Sequence, residues 1–264
     1  MADSAYVFQG TGHDSERGRL RLLESVFDPG SQRILLGTGL HADMRCLEIG
    51  AGAGSIATWM SEVVGPRGTV AAVDISTRFL AETRRANVDV YEADICTIDL
   101  EPASFDLAHA RFVFIHLADW RAALDATLKL LKPGGHLVLE EPDFSVSRAL
   151  AGRAALRDSF DRVHQAIEAM FSARSMDYAF GLRLPGIFEQ VRLDTVAVEN
   201  DAPIARGGEP LARMMSMSTR QLQQQYLDTG LATGEDIDNY DVFSADPSCW
   251  AIYHGTIRAA ARKA

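Results

Sequence analysis

A glycine run between an apolar segment and a helical pattern is the part of this chain best suited to chemistry. Segment 48–54 reads Glu-Ile-Gly-Ala-Gly-Ala-Gly, after the apolar residues 44–47 and before the helical pattern 55–60. Glycine allows a tight turn and close approach of a ligand, and such loops bind nucleotides in doubly wound α/β folds. The dinucleotide pattern G-x-G-x-x-G would need glycine at 55, where this chain has Ser55. With the acid Glu48 before the loop, the run favours a cationic or polar ligand group over a pyrophosphate.

Two more acids end predicted strands in the same way as Glu48. Asp74 follows Ala-Val, and Asp94 is followed by Ile95. Because ligands of open α/β sheets bind beyond the carboxyl ends of the strands, we expect all three acids to face one crevice. The position of Asp74 suits a carboxylate that grips two ribose hydroxyls. Asp94 and Ile95 suit an adenine edge, with the acid accepting from the exocyclic amine and the apolar side chain against the ring.

Alternating strands and helices position these residues. Short apolar segments rich in Val, Leu and Ile predict strands at 44–50, 69–75, 88–94, 105–111 and 136–141. Helical patterns lie between them at 54–64, 77–86 and 119–132, the last ended by the turn Lys-Pro-Gly-Gly at 132–135. This alternation predicts βαβ units, and therefore an α/β fold with a doubly wound, Rossmann-like, mostly parallel sheet.

The flanking segments predict a lid and a cap. Residues 1–43 predict an N-terminal helical lid, with a helix at 15–27 ended by Asp-Pro-Gly at 28–30 and a second at 31–40. After residue 142 the predicted helices are 151–173, a short one after Pro185, 209–228 and 233–244, and the predicted strands are 193–199 and 249–258. We expect a seven-stranded core from 44–144 and 190–264, with helical cap segments at 145–189 and 205–245.

Composition and charge argue against several classes of function. With 264 residues and a net charge of −10, the chain suits one large globular domain and is a poor general binder of nucleic-acid phosphates. Its three cysteines are far apart, so neither a disulfide framework nor a thiolate zinc site is expected, and no metal is predicted. No apolar run approaches the roughly 20 residues that cross a bilayer, and the N-terminus lacks the pattern of a signal peptide. We expect a cytoplasmic protein that binds neither membrane nor nucleic acid.

Taken together, these residues resemble the motifs of class I S-adenosylmethionine-dependent methyltransferases. The resemblance covers 44–142, and its motifs in order are Glu48-x-Gly50-x-Gly52, Asp74, Asp94, the segment 105–111 and the segment 131–139. The regions outside this core resemble, more loosely, bacterial small-molecule methyltransferases of secondary metabolism. The resemblance implies a Rossmann-like fold and S-adenosyl-L-methionine as cofactor.

The same resemblance assigns residues to the cofactor. They are Glu48, Gly50, Ala51, Gly52, Asp74, Ile75, Asp94, Ile95, Ala110 and Arg111, with Tyr6 and Arg19 from the predicted lid. The glycine loop would meet the methionine part, and Glu48 would organise that loop. Asp74 would bind the ribose, Ile75 would pack on the adenine, and Asp94 with Ile95 would hold the adenine edge.

The acceptor side needs groups that align a nucleophile, exclude water and take up a proton. His116 is the first candidate for a general base, because histidine titrates near neutral pH, and Glu141 is the second. The alternative for His116 is to cap the helix that begins near Asp119 or to bond to backbone. Of the acids after the fifth strand, one could anchor structure while another binds a cationic amine or acts as a base. The residues expected near the acceptor are His116, Glu140, Asp143, His164, Phe171 and Tyr178.

Three functions remain open at this point. The leading one is methyl transfer to oxygen, nitrogen or carbon of a small, largely apolar molecule. Methylation of a nucleic acid or protein is the second; the acidic balance and the absence of an Asn-Pro-Pro-Tyr-like sequence in segment 106–111 weigh against it. The third is a cofactor-bound protein that catalyses a rearrangement without methylation, because binding a cofactor and using it are different properties. A homodimer built by the N-terminal and cap helices is also open.

Overall fold

The computed structural model describes residues 13–82 and 85–264 and confirms an α/β architecture. Its strands are β1 (Arg45–Ile49), β2 (Thr69–Asp74), β3 (Val88–Glu92), β4 (Phe105–Arg111), β5 (Leu131–Asp143), β6 (Arg148–Ala151), β7 (Asp194–Asp201), β8 (Ile204–Arg206), β9 (Trp250–Ile252) and β10 (Gly255–Arg262). Its α-helices are α1 (His13–Gly37), α2 (Ser55–Val64), α3 (Trp120–Leu130), α4 (Ala154–Ala173), α5 (Leu184–Gln190), α6 (Pro210–Leu227) and α7 (Gly234–Ala245). Among these helices, none is both long and apolar enough to span a membrane.

The main sheet has seven strands in the order β3-β2-β1-β4-β5-β10-β7, which confirms the predicted fold class. The pairs β1–β2, β1–β4, β2–β3 and β4–β5 are all parallel. The strand order reverses beside β1, and in doubly wound sheets a ligand crevice opens at such a point, beyond the carboxyl ends of the strands. The glycine loop follows β1 directly, so the topology places it at this crevice.

The chain forms two compact units. Of the described residues, those within Phe27–Glu141, Gly181–Glu199 and Ile257–Ala264 form the sheet unit, and those within Met1–Val26, Pro142–Phe180 and Asn200–Thr256 form the helical unit. The first boundary between these units falls inside α1. The end of α1 joins the sheet unit because Ile34 and Leu35 are buried in its core.

The core of the sheet unit is built from the apolar residues of the parallel strands and of the helices against them. Met60 and Val64 of α2 are fully buried with Val70 of β2 and Val138 of β5. Strands of a parallel sheet are covered on both faces, which explains why β2 is apolar at every position between its two ends. Burial of this surface is the main stabilising contribution to the sheet.

In the helical unit, α4 and α7 are joined by a buried carboxylate. Asp236 accepts hydrogen bonds from Arg162 at 2.6 and 2.8 Å and from the Ser159 hydroxyl at 2.8 Å. It also completes a capping box with Thr233 at the start of α7. A small antiparallel sheet in the order β6-β9-β8 belongs to the same unit.

Two local predictions about helices were wrong. The segment Asp-Pro-Gly at 28–30 does not end a helix, because α1 continues through Pro29 to Gly37. Proline disfavours a helix interior by removing a backbone donor, but here burial of Phe27 and Ser31 on either side outweighs that cost. The predicted helix at 77–86 is a short 3-10 helix at Thr77–Glu82, and residues 83 and 84 lie outside the described part.

Strand boundaries also differ from the sequence prediction. β5 begins at Leu131 instead of residue 136, so the turn predicted at 132–135 is part of the strand. The closing strand predicted at 249–258 is divided at Tyr253 and His254, with β9 in the small sheet and β10 in the main sheet. β6 and β8 were not predicted, since three- and four-residue strands are too short to show a period.

We predict that Asp236→Ala lowers the free energy of unfolding by about 3 kcal/mol, since it leaves a charge-paired arginine and two hydroxyls without their acceptor. The matched control is Asp238→Ala on the same helix, which removes an exposed pair with Arg220 and should cost under about 1 kcal/mol. Urea unfolding of both variants measures the difference. Equal losses for the two would contradict the assignment of Asp236 as the link between α4 and α7.

Candidate functional site

The glycine loop after β1 has a backbone that only glycine adopts easily. Gly50, Gly52 and Gly54 all have positive φ, of 68°, 58° and 87°. Gly50 donates its N–H to the carbonyl of Val73 at 2.8 Å, which ties the loop to β2. A Cβ on Gly50 would lie 2.3 Å from a methyl carbon of Val113, so the loop and the segment after β4 pack too closely for any side chain there.

Asp74, at the carboxyl end of β2, holds the loop from the other side. Its Oδ2 accepts the N–H of Gly52 at 2.9 Å, and its Oδ1 accepts the N–H of Ser76 at 2.9 Å. Burial raises the pKa of Asp74, although these backbone hydrogen bonds oppose the rise. Each carboxylate oxygen can accept a second hydrogen bond, so the side chain retains capacity for two ligand hydroxyls.

The next residues fit an adenosyl group in the same way. Ile75 follows Asp74 and is 52% exposed, an unusual exposure for a large apolar side chain and one that a purine ring would cover. Asp94 is exposed and uses Oδ1 to accept the N–H of Cys96 at 2.8 Å, while Ile95 beside it is buried. The donor and acceptor set of these residues therefore fits S-adenosylmethionine. Ala51 and Ala110 are buried small residues at the ends of β1 and β4.

A histidine between two carboxylates lies under the glycine loop. His109 of β4 contacts Glu48 of β1 through Nδ1 at 2.7 Å and Glu140 of β5 through Nε2 at 2.9 Å. The second oxygen of Glu140 accepts from Nε of Arg258, on β10, at 2.8 Å. All four side chains are buried, and with every group ionised their charges sum to zero. One network of polar side chains thus joins the strands β1, β4, β5 and β10.

Gly30 of α1 packs directly against the guanidinium of Arg258. A Cβ on Gly30 would lie 2.3–2.7 Å from three guanidinium atoms, so α1 passes over Arg258 only because residue 30 has no side chain. Close contact of a helix with a buried cation excludes water from the network. Low dielectric then strengthens the interaction between the paired charges.

The pKa values of the network follow from this packing. Burial by itself lowers the pKa of His109, but Glu48 and Glu140 outweigh that effect and raise it to about 9. For Glu140, burial raises the pKa, but His109 and Arg111 lower it to about 2. Burial raises the pKa of Glu48, with His109 opposing the rise. We conclude that His109 is a cation bound to an ionised Glu140.

Glu141 has different hydrogen-bond partners from Glu140. Its carboxylate accepts the N–H groups of Val113, Phe114 and Ile115 at 3.1, 2.8 and 3.1 Å. Phe112, just before them, has φ of 57°, a left-handed conformation that costs energy for a bulky residue. Burial raises the pKa of Glu141 to about 8. Glu141 therefore fixes the segment after β4, and its catalytic role stays a prediction from the sequence.

Arg111 at the end of β4 is tied to α1. Its guanidinium contacts Asp28 at 2.9 Å and the hydroxyl of Ser31 at 2.8 Å. Asp28 also accepts from the hydroxyl of Ser55, the first residue of α2, at 3.1 Å. The side chain of Arg111 therefore ties the end of β4 to α1, and Asp28 in turn ties α1 to the start of α2.

His116 ends a short 3-10 helix in the segment that Glu141 holds. Its backbone N–H donates to the carbonyl of Val113 at 3.0 Å, and its side chain is partly buried. It does not cap α3, because Asp119 occupies that position and accepts the N–H of Ala122. His116 is thus in the sheet unit with the predicted cofactor residues.

The other predicted acceptor residues belong to the helical unit. Asp143 is fully buried, and His164 contacts the hydroxyl of Tyr240 at 3.3 Å. Phe171 packs on Phe144 with ring centroids 5.9 Å apart, and the carbonyl of Tyr178 accepts the N–H of Phe144 at 3.0 Å.

Of the two residues predicted in the lid, Tyr6 and Arg19, the structure describes Arg19. Arg19 forms two hydrogen bonds with Glu16 in the helical unit, and both side chains are buried. Tyr6 lies outside the described residues.

Sequence reasoning missed His109, Arg258 and Asp28. A histidine inside the apolar strand β4 was the one available signal, because a buried imidazole needs partners. Nothing in the local sequence indicates that Arg258, far along the chain, pairs with Glu140. Such a contact becomes visible only in the folded chain.

Comparison with known proteins gives a family match. Residues 20–181 match a family model described as a methyltransferase domain. A ubiquinone/menaquinone biosynthesis C-methyltransferase of Pseudomonas putida is 30% identical over 39% of this chain and 44% of that protein. The methyltransferase str2 of Strobilurus tenacellus is 35% identical over 38% of this chain and 36% of its own length. The chain thus spans less than half of the length of these curated relatives.

Solved structures share the fold at low identity. A phosphoethanolamine N-methyltransferase 2 of Haemonchus contortus, in complex with phosphomonomethylethanolamine and S-adenosylhomocysteine, has a TM-score of 0.58 at 17% identity, over 100% of this chain and 60% of that one. The [4+2]-cyclase SpnF has a TM-score of 0.57 at 16% identity, over 89% of this chain and 80% of that one. At these identities, the likeness concerns the fold alone.

We predict that His109→Gln lowers the free energy of unfolding by about 3–5 kcal/mol, because it removes the charge between two buried carboxylates. The folded pKa of about 9 exceeds the ordinary 6.5, so the stabilisation by His109 is complete below pH 6.5 and is lost as the pH rises through about 9. Urea unfolding across this range measures both effects.

The exposed His41→Gln is the control for this variant and should change stability by less than about 1 kcal/mol. Glu141 has a raised pKa and adds a loss in the same direction, so H109Q should keep a smaller dependence on pH than the wild type. An unchanged pH profile in H109Q would show that His109 is not the charged partner of Glu48 and Glu140.

Proposed function

The chain belongs to the methyltransferase-domain family, and from this membership we propose that it transfers a methyl group from S-adenosylmethionine to a small, largely apolar organic molecule. The observation that carries the proposal is the bond from Gly52 to Asp74, which closes the glycine loop against a carboxylate with spare acceptor capacity. S-adenosylmethionine is the cofactor of the family, and it supplies a methyl group on a sulfonium leaving group.

The residues of the sheet unit have the roles of binding and orientation in this proposal. Asp74 accepts the ribose hydroxyls, Ile75 covers one face of the adenine, and Asp94 with the backbone at Ile95 binds its edge. Glu48, fixed by His109, sets the conformation of the loop at the methionine end. Binding of S-adenosylmethionine in one orientation lowers the entropic cost of bringing its methyl group to the molecule that is methylated.

A proton acceptor is needed only where the acceptor atom carries a hydrogen in the transfer step. We propose His116 for this role, since it lies in the segment that Glu141 fixes after β4. The roles of Asp143, His164, Phe171 and Tyr178, which belong to the helical unit, stay predictions from the sequence. Glu140 is fully engaged with His109 and Arg258, which supports a structural role for it instead of substrate contact.

The acceptor class rests on composition and on the relatives. Two similar proteins are described as methyltransferases, one of them a C-methyltransferase of ubiquinone/menaquinone biosynthesis. The description of the C-methyltransferase and the net charge of −10 of this chain support a small molecule over a nucleic acid as the acceptor. A role in bacterial secondary metabolism is the setting that we propose.

One alternative function shares the fold. A structural neighbour is a [4+2]-cyclase, and a fold by itself does not imply one reaction. Incubation with S-adenosylmethionine and candidate acceptors separates the two by mass spectrometry. A product heavier by one methylene supports methyl transfer, whereas a product of unchanged mass supports a rearrangement.

We predict that Asp74→Asn weakens the binding of S-adenosylhomocysteine about tenfold or more, because the amide cannot accept both the Gly52 N–H and the ribose hydroxyls. The control is Asp106→Asn, near the amino end of β4, where the carboxylate similarly accepts a backbone N–H, from Arg45, and contacts Lys132. Isothermal titration calorimetry of the wild type and both variants is the measurement. Absence of binding to the wild type, or equal losses in both variants, would overturn the proposed cofactor site.

A further inference from the structure

Asp28 of α1 joins two segments beside the glycine loop through one carboxylate oxygen. Its Oδ1 accepts the hydroxyl of Ser55 at 3.1 Å and contacts the guanidinium of Arg111 at 2.9 Å. Ser55 is the first residue of α2, directly after the loop, and Arg111 is the last residue of β4. Since Ile49 is the register partner of Ala110, Arg111 lies level with the start of the loop. Both partners of Asp28 thus border the glycine loop, one at each end.

The exit of the glycine loop has no side-chain cap of its own. Gly54, the N-cap of α2, has a φ of 87° and no side chain that could accept a hydrogen bond from the first turn. That turn, residues 55–58, also has no acidic side chain. A carboxylate near a helix N-terminus is favourable, because the N-terminus carries a partial positive charge. Asp28 supplies this charge from another helix, through the hydroxyl of Ser55.

The contact with Arg111 extends this support to the other end of the loop. Arg111 precedes Phe112, which has a φ of 57°, and Val113 then packs against Gly50. The side chain of Arg111 is 8% exposed, so Asp28 pairs with a buried cation at the start of this segment. Removing one partner of a buried ion pair leaves the other charge uncompensated. The segment that packs on the glycine loop therefore depends on the carboxylate of Asp28.

Packing fixes the part of α1 that carries Asp28. Phe27 packs edge-on against Phe112 with ring centroids 4.9 Å apart, and Gly30 packs against a buried guanidinium of β10. The helix continues through Pro29, although the residue before a proline disfavours the helical conformation. Positions where a sequence breaks such a local rule are expected to be functional or strained. The fold thus holds the carboxylate of Asp28 in place against a local preference to end the helix there.

We propose that Asp28 is a positioning residue for the methionine part of the cofactor, because it holds the exit of the glycine loop through Ser55 and the neighbouring segment through Arg111. The inference rests on the proposed function, in which the glycine loop binds that part of S-adenosylmethionine. The adenosine part is assigned to residues at and after the ends of β2 and β3. Asp28 should therefore affect the binding of one end of the cofactor and leave the other end unchanged.

The test compares two ligands that share the adenosine part, S-adenosylhomocysteine and 5′-methylthioadenosine. The second ligand lacks the amino-acid part that the glycine loop would bind. Ligand-observed NMR titration of the wild type and the variants measures both affinities. We expect Asp28→Ala to weaken the binding of S-adenosylhomocysteine about tenfold or more, the usual value of a hydrogen bond to a charged group, and that of 5′-methylthioadenosine less than about twofold. A loss of stability alone would not change the ratio of the two affinities.

A second variant and a matched control accompany Asp28→Ala. Ser55→Ala removes the hydroxyl alone and should weaken S-adenosylhomocysteine about threefold or more, again without weakening 5′-methylthioadenosine. In the double variant the two losses of binding free energy should not add, because both changes break the same contact. The control is Glu199→Ala, which breaks another ion pair of α1 in the sheet unit, with Arg33 at 2.6 Å. Glu199 lies on β7, separated from β1 by β4, β5 and β10, so the ratio of affinities should stay as in the wild type.

Failure of this inference and failure of the proposed function give different results. A wild type that binds neither ligand overturns the proposed cofactor site, and the role of Asp28 with it. If the wild type binds both ligands, then an unchanged ratio of affinities in Asp28→Ala, or the same change in Glu199→Ala, overturns the role of Asp28 alone. Thermal unfolding shows whether Asp28→Ala folds; if it does not, the ratio in Ser55→Ala decides in the same way.

Discussion

The sheet unit depends on a histidine held between two carboxylates. Glu48, His109 and Glu140 come from the neighbouring strands β1, β4 and β5, and Glu48 is the register partner of His109. A slip of one residue between these strands would turn the side chains to opposite faces and leave charges buried without partners. The network therefore selects one register, and the position of the glycine loop at the end of β1 follows from it.

Glu140 and Glu141 are neighbours in β5 but have different partners, because the side chains of a strand alternate between its two faces. Glu140 completes the ionic network with Arg258, while Glu141 accepts three backbone N–H groups of the segment after β4. The strained backbone at Phe112 is retained because Glu141 and the packing of Phe27 on Phe112 both fix this segment. Acids that are adjacent in the sequence therefore have separate roles in the folded chain.

Two buried acids of the helical unit differ in how many of their hydrogen bonds are made. Asp236 is buried with a full set of donors and joins two helices, whereas Asp143 is buried with one oxygen unused. Asp236 lies in the first turn of α7, and Asp143 immediately precedes a 3-10 helix. Their different hydrogen bonding follows from residues distant in the chain, such as Arg162 for the first and the aromatic rings around His254 for the second. Their chemistry is thus a property of packing.

The sequence by itself determined the order of strands and helices in the core, the glycine loop and the acids at the ends of β1 and β2, because apolar periodicity and turn residues act over short distances. It did not determine that α1 continues through Pro29, or that residues 249–258 divide between two sheets, because burial far along the chain outweighs local preference. Only the tertiary structure decided the partners of Glu140 and Glu141 and the burial of Asp143. Whether a buried carboxylate is paired, clamped to backbone or left open depends on groups that the fold brings within hydrogen-bond distance, and no local pattern encodes that.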